Sequence, residues 1–377
     1  MLAPVGNRVC IRRNDEALQA FEGYEAVFVN SGTAALTLAL RIAKRQAGEP
    51  RTEVIIPAYG CPDLVTACVG AGVTPVLCDI GADDPGFDLE QLQALLSERT
   101  LAVIAVNFLG ICDRLDEINA LATQSGALLI EDDAQWYPED ESLLRGDLVI
   151  TSFGRGKPAS ILGGGALLVR DELAHACKDL LSSYRDAAGE SPLQRWQYYA
   201  RIATYNVCLN PSIYGLVARL PGLAIGATVY KPPQPVTAMP AVLRSLLPEN
   251  IRRYTQGDRV VENHYRQCID ERSGGLVNLP VRLQERAGRL LRYPVLLADK
   301  TERDVRLKTL NREGLGASAM YRRPLWEIDG VPPEVMAPAG GAGNASRFAD
   351  RLLTLPVHEF VRQNEAMRIR DILEVTM

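Results

Sequence analysis

The sequence predicts an α/β fold, a seven-stranded and mostly parallel sheet with helices on both faces, followed by a smaller α+β unit. Two observations carry this. Between residues 26 and 170, short apolar runs rich in β-branched residues alternate with longer helical patterns, as expected of strands joined by covering helices. The runs are also apolar almost throughout, as in strands buried on both faces. A length of 377 residues suffices for one large domain and a smaller one.

The expected strands are Ala26 to Asn30, Glu53 to Pro57, Thr74 to Asp79, Ala102 to Asn107, Ala127 to Asp132, Leu148 to Ser152 and Ala166 to Arg170. Between them, Ala34 to Gln46, Cys61 to Val69, Leu89 to Leu96 and Leu115 to Thr123 read as covering helices. Only Phe153 to Gly165 separates the last two strands, and Pro158 and several glycines leave no room for a crossover helix. Those strands are therefore expected to be antiparallel or displaced. Residues 172 to 235 look helical and unusually apolar or aromatic, and end in the proline cluster Pro232-Pro233-Gln234-Pro235. From about residue 240 a helix over Val242 to Ile269, strands near Leu276, Tyr293 and Leu353, and helices at about 302–313 and 360–375 are expected. This gives a large domain over 1–235, carrying an apolar helical insert at about 178–230, and a small domain over 236–377. The insert suits core and dimer-interface packing, or a docking surface. The Gly- and Ala-rich stretch 337–345 reads as a loop.

The net charge of −5 and the absence of a basic stripe argue against nucleic-acid binding. Eight scattered cysteines without a CxxC pair, and only three histidines, encode neither a disulfide framework nor a metal site. The start of the chain lacks a signal-peptide pattern and no run reaches membrane-span length, so a cytoplasmic location is the expectation.

The stretch SFGRGKPASILGGG, residues 152–165, combines glycines, a lysine and a serine. It is not a Walker A loop: Thr151 holds the first glycine position, and Pro158 follows the lysine in place of Ser or Thr. A formal dinucleotide match, Gly154 to Ala159, lacks the helix that would have to follow it. A third chemistry fits: a lysine on a constrained loop at a sheet's carboxyl edge, forming an imine with an aldehyde cofactor such as pyridoxal phosphate. That chemistry also needs a carboxylate for the ring nitrogen and a cup for the phosphate. Asp132 or Asp133, at the end of the fifth strand, could supply the first, with Gln135 just beyond. Asn30-Ser31-Gly32-Thr33, opening a helix, is an anion site or simply a cap.

Together these segments resemble the DegT/DnrJ/EryC1/StrS family of pyridoxal-phosphate-dependent sugar aminotransferases, with the aspartate-aminotransferase fold, fold type I. The similarity runs in order through NSGTAAL at 30–36, VIIPAYGCPDLVTACVGAGVTPVLCDI at 54–80, GALLIEDDAQ at 126–135, SFGRGK at 152–157, GGGALLV at 163–169 and LLTLPVH at 352–358. The resemblance implies that Lys157 is the Schiff-base lysine, Asp132 the partner of the ring nitrogen, Gln135 the neighbour of the ring hydroxyl, and Gly32, Thr33 and Ser152 the phosphate cup. Asp133 then stands behind the site. The resemblance further implies transfer of an amino group, from a donor such as glutamate, to a keto group of a nucleotide-linked sugar. It also implies a homodimer with active sites completed across the interface.

This sequence departs from the family pattern in three places. Cys61 occupies the position where the family usually has an aromatic residue stacked on the cofactor, leaving Tyr59 as a substitute. The segment that reaches the partner's phosphate reads GATVYKPPQPV, with Tyr230 or Lys231 as replacements. The stretch after Gly165 is longer than usual. Arg155, Arg322 and Arg323 are candidates for substrate anions, arginine being suited to bidentate contacts. Sugar dehydratases of the family carry histidine in place of the lysine, which argues against that chemistry here. A cofactor-binding regulatory or sensory protein without turnover, and an aminotransferase for a non-sugar keto substrate, are the alternatives.

Overall fold

The computed structural model describes residues 1–14, 18, 21–48, 50–217, 228–269, 275–338, 341 and 343–374. The large sheet contains β1 (Tyr24–Val29), β2 (Glu53–Pro57), β3 (Thr74–Cys78), β4 (Thr100–Val106), β5 (Leu128–Asp133), β6 (Leu148–Ser152) and β7 (Gly165–Arg170), in the order β1-β7-β6-β5-β4-β2-β3. Neighbours from β3 to β6 pair in parallel, while β7 runs antiparallel to both β6 and β1. The short β6–β7 connection thus gives the antiparallel pairing that its length demanded.

The covering helices are α1 (Gly32–Ala47), α2 (Asp63–Ala71), α3 (Leu89–Leu95) and α4 (Leu115–Ser125). Helix α1 starts where β1 ends: Ser31 caps it, its hydroxyl accepting a hydrogen bond from Ala34 N–H. Leu36, Leu38, Leu40 and Ile42 of α1 are buried, so the helix is packed nearly all round and its start is fixed against the sheet. Each such side chain contributes about 1.5–3 kcal/mol of burial.

After β7 come α5 (Asp171–Ala176), α6 (Lys178–Arg185), α7 (Pro192–Cys208) and α8 (Pro211–Val217). A full capping box of Ser191 and Gln194 starts α7. The insert is helical as expected over these residues, whereas its 218–227 portion lies outside the described residues. Parts of α7 and α8 are exposed and apolar, Trp196 at 66% and Leu216 at 68%.

Beyond residue 236 the chain first returns to the large sheet. Ala238 bridges Val29, and Val242, Leu243, Leu247 and Ile251 pack with Phe28, Val149 and Leu168. The single helix expected over Val242 to Ile269 is three: α9 (Ala241–Arg244), α10 (Leu247–Thr255) and α11 (Val260–Cys268). Gly257 separates the last two. A Cβ there would lie 2.7 Å from the Arg289 guanidinium and 2.9 Å from the Arg253 carbonyl.

The second sheet, ordered β10-β9-β8, follows: β8 (Val277–Asn278), α12 (Leu279–Arg282), β9 (Tyr293–Leu296), α13 (Lys300–Arg312), α14 (Gly343–Arg351), β10 (Leu352–Leu355) and α15 (Gln363–Glu374). The 337–345 loop is shorter than expected, because α14 already starts at Gly343; residues 339, 340 and 342 within it lie outside the described set, as do 270–274 and 375–377. Backbone hydrogen bonds from Gly288 to Gly110, Leu291 to Leu109 and Leu325 to Ala58 seat this unit on the carboxyl edge of the large sheet. No helix among the described residues is long and apolar enough to cross a membrane.

Candidate active site

The site is assembled where β1, β5 and β6 end. Val29 leads directly into Ser31 and α1, whose first turn leaves N–H groups without partners inside the helix and carries the positive end of its dipole. Gly32 allows this turn to sit against the end of β6: a Cβ on it would lie 2.6 Å from Ser152 Cβ and 2.8 Å from Ser152 Oγ. Gly165 does the same from β7, since its Cβ would meet the Ser31 carbonyl at 2.5 Å. The start of α1, with Thr33 next to Gly32, is therefore in direct contact with the Ser152 side chain. The two together offer backbone N–H donors and a hydroxyl, the donor set that suits a phosphate.

The strand alternation of β5 separates two neighbouring acids. Asp132 is buried; one carboxylate oxygen accepts from Ala134 N–H at 2.9 Å, and no hydrogen bond reaches the other among the described residues. Burial pushes its pKa up, opposed by that N–H and by the charge of Lys157. A cation placed against it would remove this penalty. Asp133 points away, into a buried acid pair with Glu131. The Asn107 amide donates to both, at 2.5 Å to Asp133 and 3.1 Å to Glu131. Burial and the Glu131 charge hold Asp133 well above the usual carboxylate range.

Lys157 lies on the β6–β7 loop. Its N–H bonds the Gly154 carbonyl at 3.2 Å, and Gly156 before it has a φ of +73°. The loop closes on itself through Phe153, whose carbonyl accepts from Ile161 and Gly163. The Lys157 ammonium forms no hydrogen bond or ion pair among the described residues, yet it influences both Asp132 and Cys61. Residues 157–160 also line a cleft of about 990 Å³ bounded by α10, α11 and the 357–366 segment; Asp132, Gln135 and Ser152 are not part of it.

Gln135 lies beside this group. Its carbonyl oxygen accepts from Leu109 N–H at 3.1 Å, and its amide donates to the Tyr321 hydroxyl at 3.1 Å. Cys61 lies within hydrogen-bonding reach of Tyr321, and burial pushes its thiol up to about 12, so it is a neutral surface. Tyr59 does not fill the stacking role. It is 2% exposed, its ring packs edge-on against Phe108, Tyr321 and Phe348, and its hydroxyl donates to the Tyr321 carbonyl. The ring is committed to the core.

Of the arginines, Arg155 is exposed on the lysine loop and has no hydrogen bond or ion pair among the described residues. Arg323 is not brought to the site; it pairs with Asp329 at 3.0 Å on the surface. Arg322 beside it is exposed. Tyr230 and Lys231 lie near the 329–330 turn and α2, the Lys231 carbonyl accepting from Thr66. Residues 226 and 227 of that segment lie outside the described set. Sequence reasoning missed Tyr321 and Asp63. Asp63 opens α2 and acts electrostatically on Asp132 and Cys61. The available signal for Tyr321 was an aromatic residue directly before the two arginines.

A model of the DegT/DnrJ/EryC1/StrS aminotransferase family matches residues 11–211, more than half of the chain. The chain belongs to this family. Among curated members of the family, it is 31% identical to the L-glutamine:2-deoxy-scyllo-inosose aminotransferase of Streptomyces paromomycinus, over 48% of this chain and 43% of that protein. It is 34% identical to the UDP-2-acetamido-2-deoxy-3-oxo-D-glucuronate aminotransferase of Pseudomonas aeruginosa, over 40% and 44% respectively. The aligned stretch spans under half the length of these relatives. Among solved structures, Helicobacter pylori PseC, an aminotransferase involved in the biosynthesis of pseudoaminic acid, superimposes with a TM-score of 0.70 at 17% identity, over 94% of this chain and 86% of that one. The fold is that of the fold type I pyridoxal phosphate enzymes, and the cradle, the open carboxylate and the unpaired lysine fit that cofactor.

Proposed function

We propose that the protein is a pyridoxal-phosphate-dependent aminotransferase that moves an amino group from an amino acid, glutamate being the expected donor, to a keto group of a nucleotide-linked sugar. The observation that carries this is the convergence, at one sheet edge, of an unpaired lysine, a buried carboxylate open on one oxygen, and a helix start closed by a serine hydroxyl. When bound, the cofactor supplies an aldehyde that takes up amino groups and a ring that spreads negative charge developing at the substrate carbon.

Lys157 would hold the cofactor through its aldehyde, and its amine, when not so engaged, would take the proton from the donor's α-carbon and return it, acting as general base and acid. Asp132 would hold a proton on the ring nitrogen by its charge, in a buried place where that charge acts strongly. Gly32, Thr33 and Ser152 would hold the phosphate and fix the register. Gln135, held by Leu109 N–H and Tyr321, orients the ring edge. Cys61 offers a smaller, softer contact than an aromatic ring. A homodimer completes the site, with Tyr230 and Lys231 as the residues offered to the partner subunit's phosphate group. The names of the curated relatives support a keto-sugar or keto-cyclitol acceptor.

The test is a screen of nucleotide-linked keto-sugars with glutamate and the cofactor-loaded protein, reading 2-oxoglutarate. Acceptor-dependent 2-oxoglutarate supports the reading. Loaded protein that forms none with any acceptor, and whose absorbance does not change on adding glutamate or glutamine, overturns it.

A further inference from the structure

The helical insert leaves one of its faces uncovered. Helix α7 is held from the other side. Ile202 is fully buried, and Tyr198 and Tyr205 pack in the cluster that contains Phe153, Ala159 and Ile161 of the lysine loop. The Asn206 side-chain amide donates to the Val9 carbonyl at 2.9 Å and accepts from the Val9 N–H at 2.8 Å, and Arg201 donates to the Leu162 carbonyl at 2.9 Å. The opposite face is apolar and bare. Leu193, Trp196, Ala200, Ala203 and Val207 recur at intervals of three and four, which sets them in one stripe along a helix about 25 Å long. Leu193 is 64%, Trp196 66% and Val207 57% exposed. Ile213 and Leu216 of α8, the helix packed next to α7, are exposed as well. Among the described residues, Leu193, Trp196 and Leu216 are three of the four most exposed large apolar side chains. Such clustering marks an interaction surface, whereas singly scattered apolar residues do not.

The charge of this stretch is equally one-sided. From Ser191 to Pro248 there is no aspartate or glutamate, in a chain with 46 acidic residues and a net charge of −5, while Arg195, Arg201, Arg219, Lys231 and Arg244 are cationic. A bare apolar stripe with an exposed tryptophan, cations and no carboxylate suits the headgroup layer of an anionic bilayer. There the apolar side chains enter the acyl boundary, the indole sits at the interface, and no acid repels the phosphates. A second copy of this chain is a poorer occupant. In a two-fold contact the patch meets itself, which sets cation against cation and brings no carboxylate from this stretch.

We propose that the exposed face of α7 and α8 is a membrane-docking surface, which seats the protein on an anionic lipid bilayer with the lysine loop fixed to the back of the docking helix. The protein lies on the bilayer through this face, and no described helix is long and apolar enough to cross it. The inference goes beyond the aminotransferase reading and does not depend on it.

The experiment is co-sedimentation of the full chain, loaded with pyridoxal phosphate, with sucrose-filled vesicles of equal parts phosphatidylcholine and phosphatidylglycerol, and with vesicles of phosphatidylcholine alone. Wild type is compared with Leu193→Glu, Trp196→Glu and Leu216→Glu, and with Met336→Glu, an exposed apolar position outside the insert. All four positions face solvent, so the variants are expected to fold, and equal melting temperatures check this. Wild type is expected to bind the mixed vesicles, about tenfold more weakly when the anionic lipid is left out or salt is added. Binding should fall about tenfold in each of the three insert variants and hold in Met336→Glu. Wild type that stays in solution with the mixed vesicles overturns the proposal, as does binding that the three variants leave unchanged or that phosphatidylcholine alone matches. Insert variants that turn a dimer into a monomer in velocity sedimentation assign the face to a second copy of the chain and overturn it equally.

Discussion

Gly32 is the residue on which the proposed phosphate cup depends most narrowly. Its missing Cβ is what lets the start of α1 touch Ser152, and the clash in an alanine variant would be with Ser152 Cβ, at 2.6 Å, which is fixed to the strand backbone and cannot swing aside. Gly32→Ala is expected to cost about 1–3 kcal/mol of stability, in the range of overpacked sites, and to weaken cofactor binding at least tenfold. Gly154→Ala is the control. Its Cβ would meet Ser152 Oγ only at 3.5 Å and Lys157 Cγ at 3.8 Å, ordinary contacts, so it should bind as wild type does. Absorbance titration with pyridoxal phosphate measures both. At this scale the residues themselves marked only a lysine on a tight, glycine-rich loop; the pairing of Ser152 with Lys157, five residues apart, came from the family resemblance. Tyr321 was hard to read because it reaches the site from the small unit, more than 160 residues after Lys157, and a single tyrosine beside two arginines is a weak local pattern.

Strand β5 shows how an element sorts its own residues. Two adjacent aspartates could not be distinguished by the residue-level reading of the sequence, and the period-2 alternation of the strand sends Asp132 toward Lys157 and Asp133 toward Glu131. The raised pKa of Asp133 makes a stability prediction. The folded state retains the Asp133 proton at pH values where the unfolded chain, with an ordinary aspartate value of 3.8, has lost it. More protons are bound folded than unfolded, so stability falls as pH rises above about 4. Asp133→Asn keeps the acceptor that Asn107 uses and removes the ionisation. Its melting temperature should exceed that of wild type at pH 7–8 and converge with it near pH 4; a constant offset across that range would contradict the assignment. Element positions were otherwise legible within a few residues, because parallel strands and their helices announce themselves by apolar period. The exception is the stretch from 242 to 269, where Gly257, against Arg289, breaks a pattern that reads as continuous.

Across the whole molecule, one sheet edge gathers residues from β1, β5, the β6–β7 loop and the second sheet, and the insert closes over the lysine loop. The fold class and the antiparallel β7 were legible because connection length and apolar runs constrain topology. The return of residues 238–254 to the large sheet was not, since apolar helices carry no address for the face they cover. All of these contributions converge on one amine. The measurement that tests this most directly is borohydride reduction of the pyridoxal-phosphate-loaded protein, followed by digestion and mass spectrometry of the peptides. The account predicts one pyridoxyl group per chain, carried on Lys157, and none in Lys157→Ala. A modification on a different lysine, or wild type that carries none after loading, would contradict it.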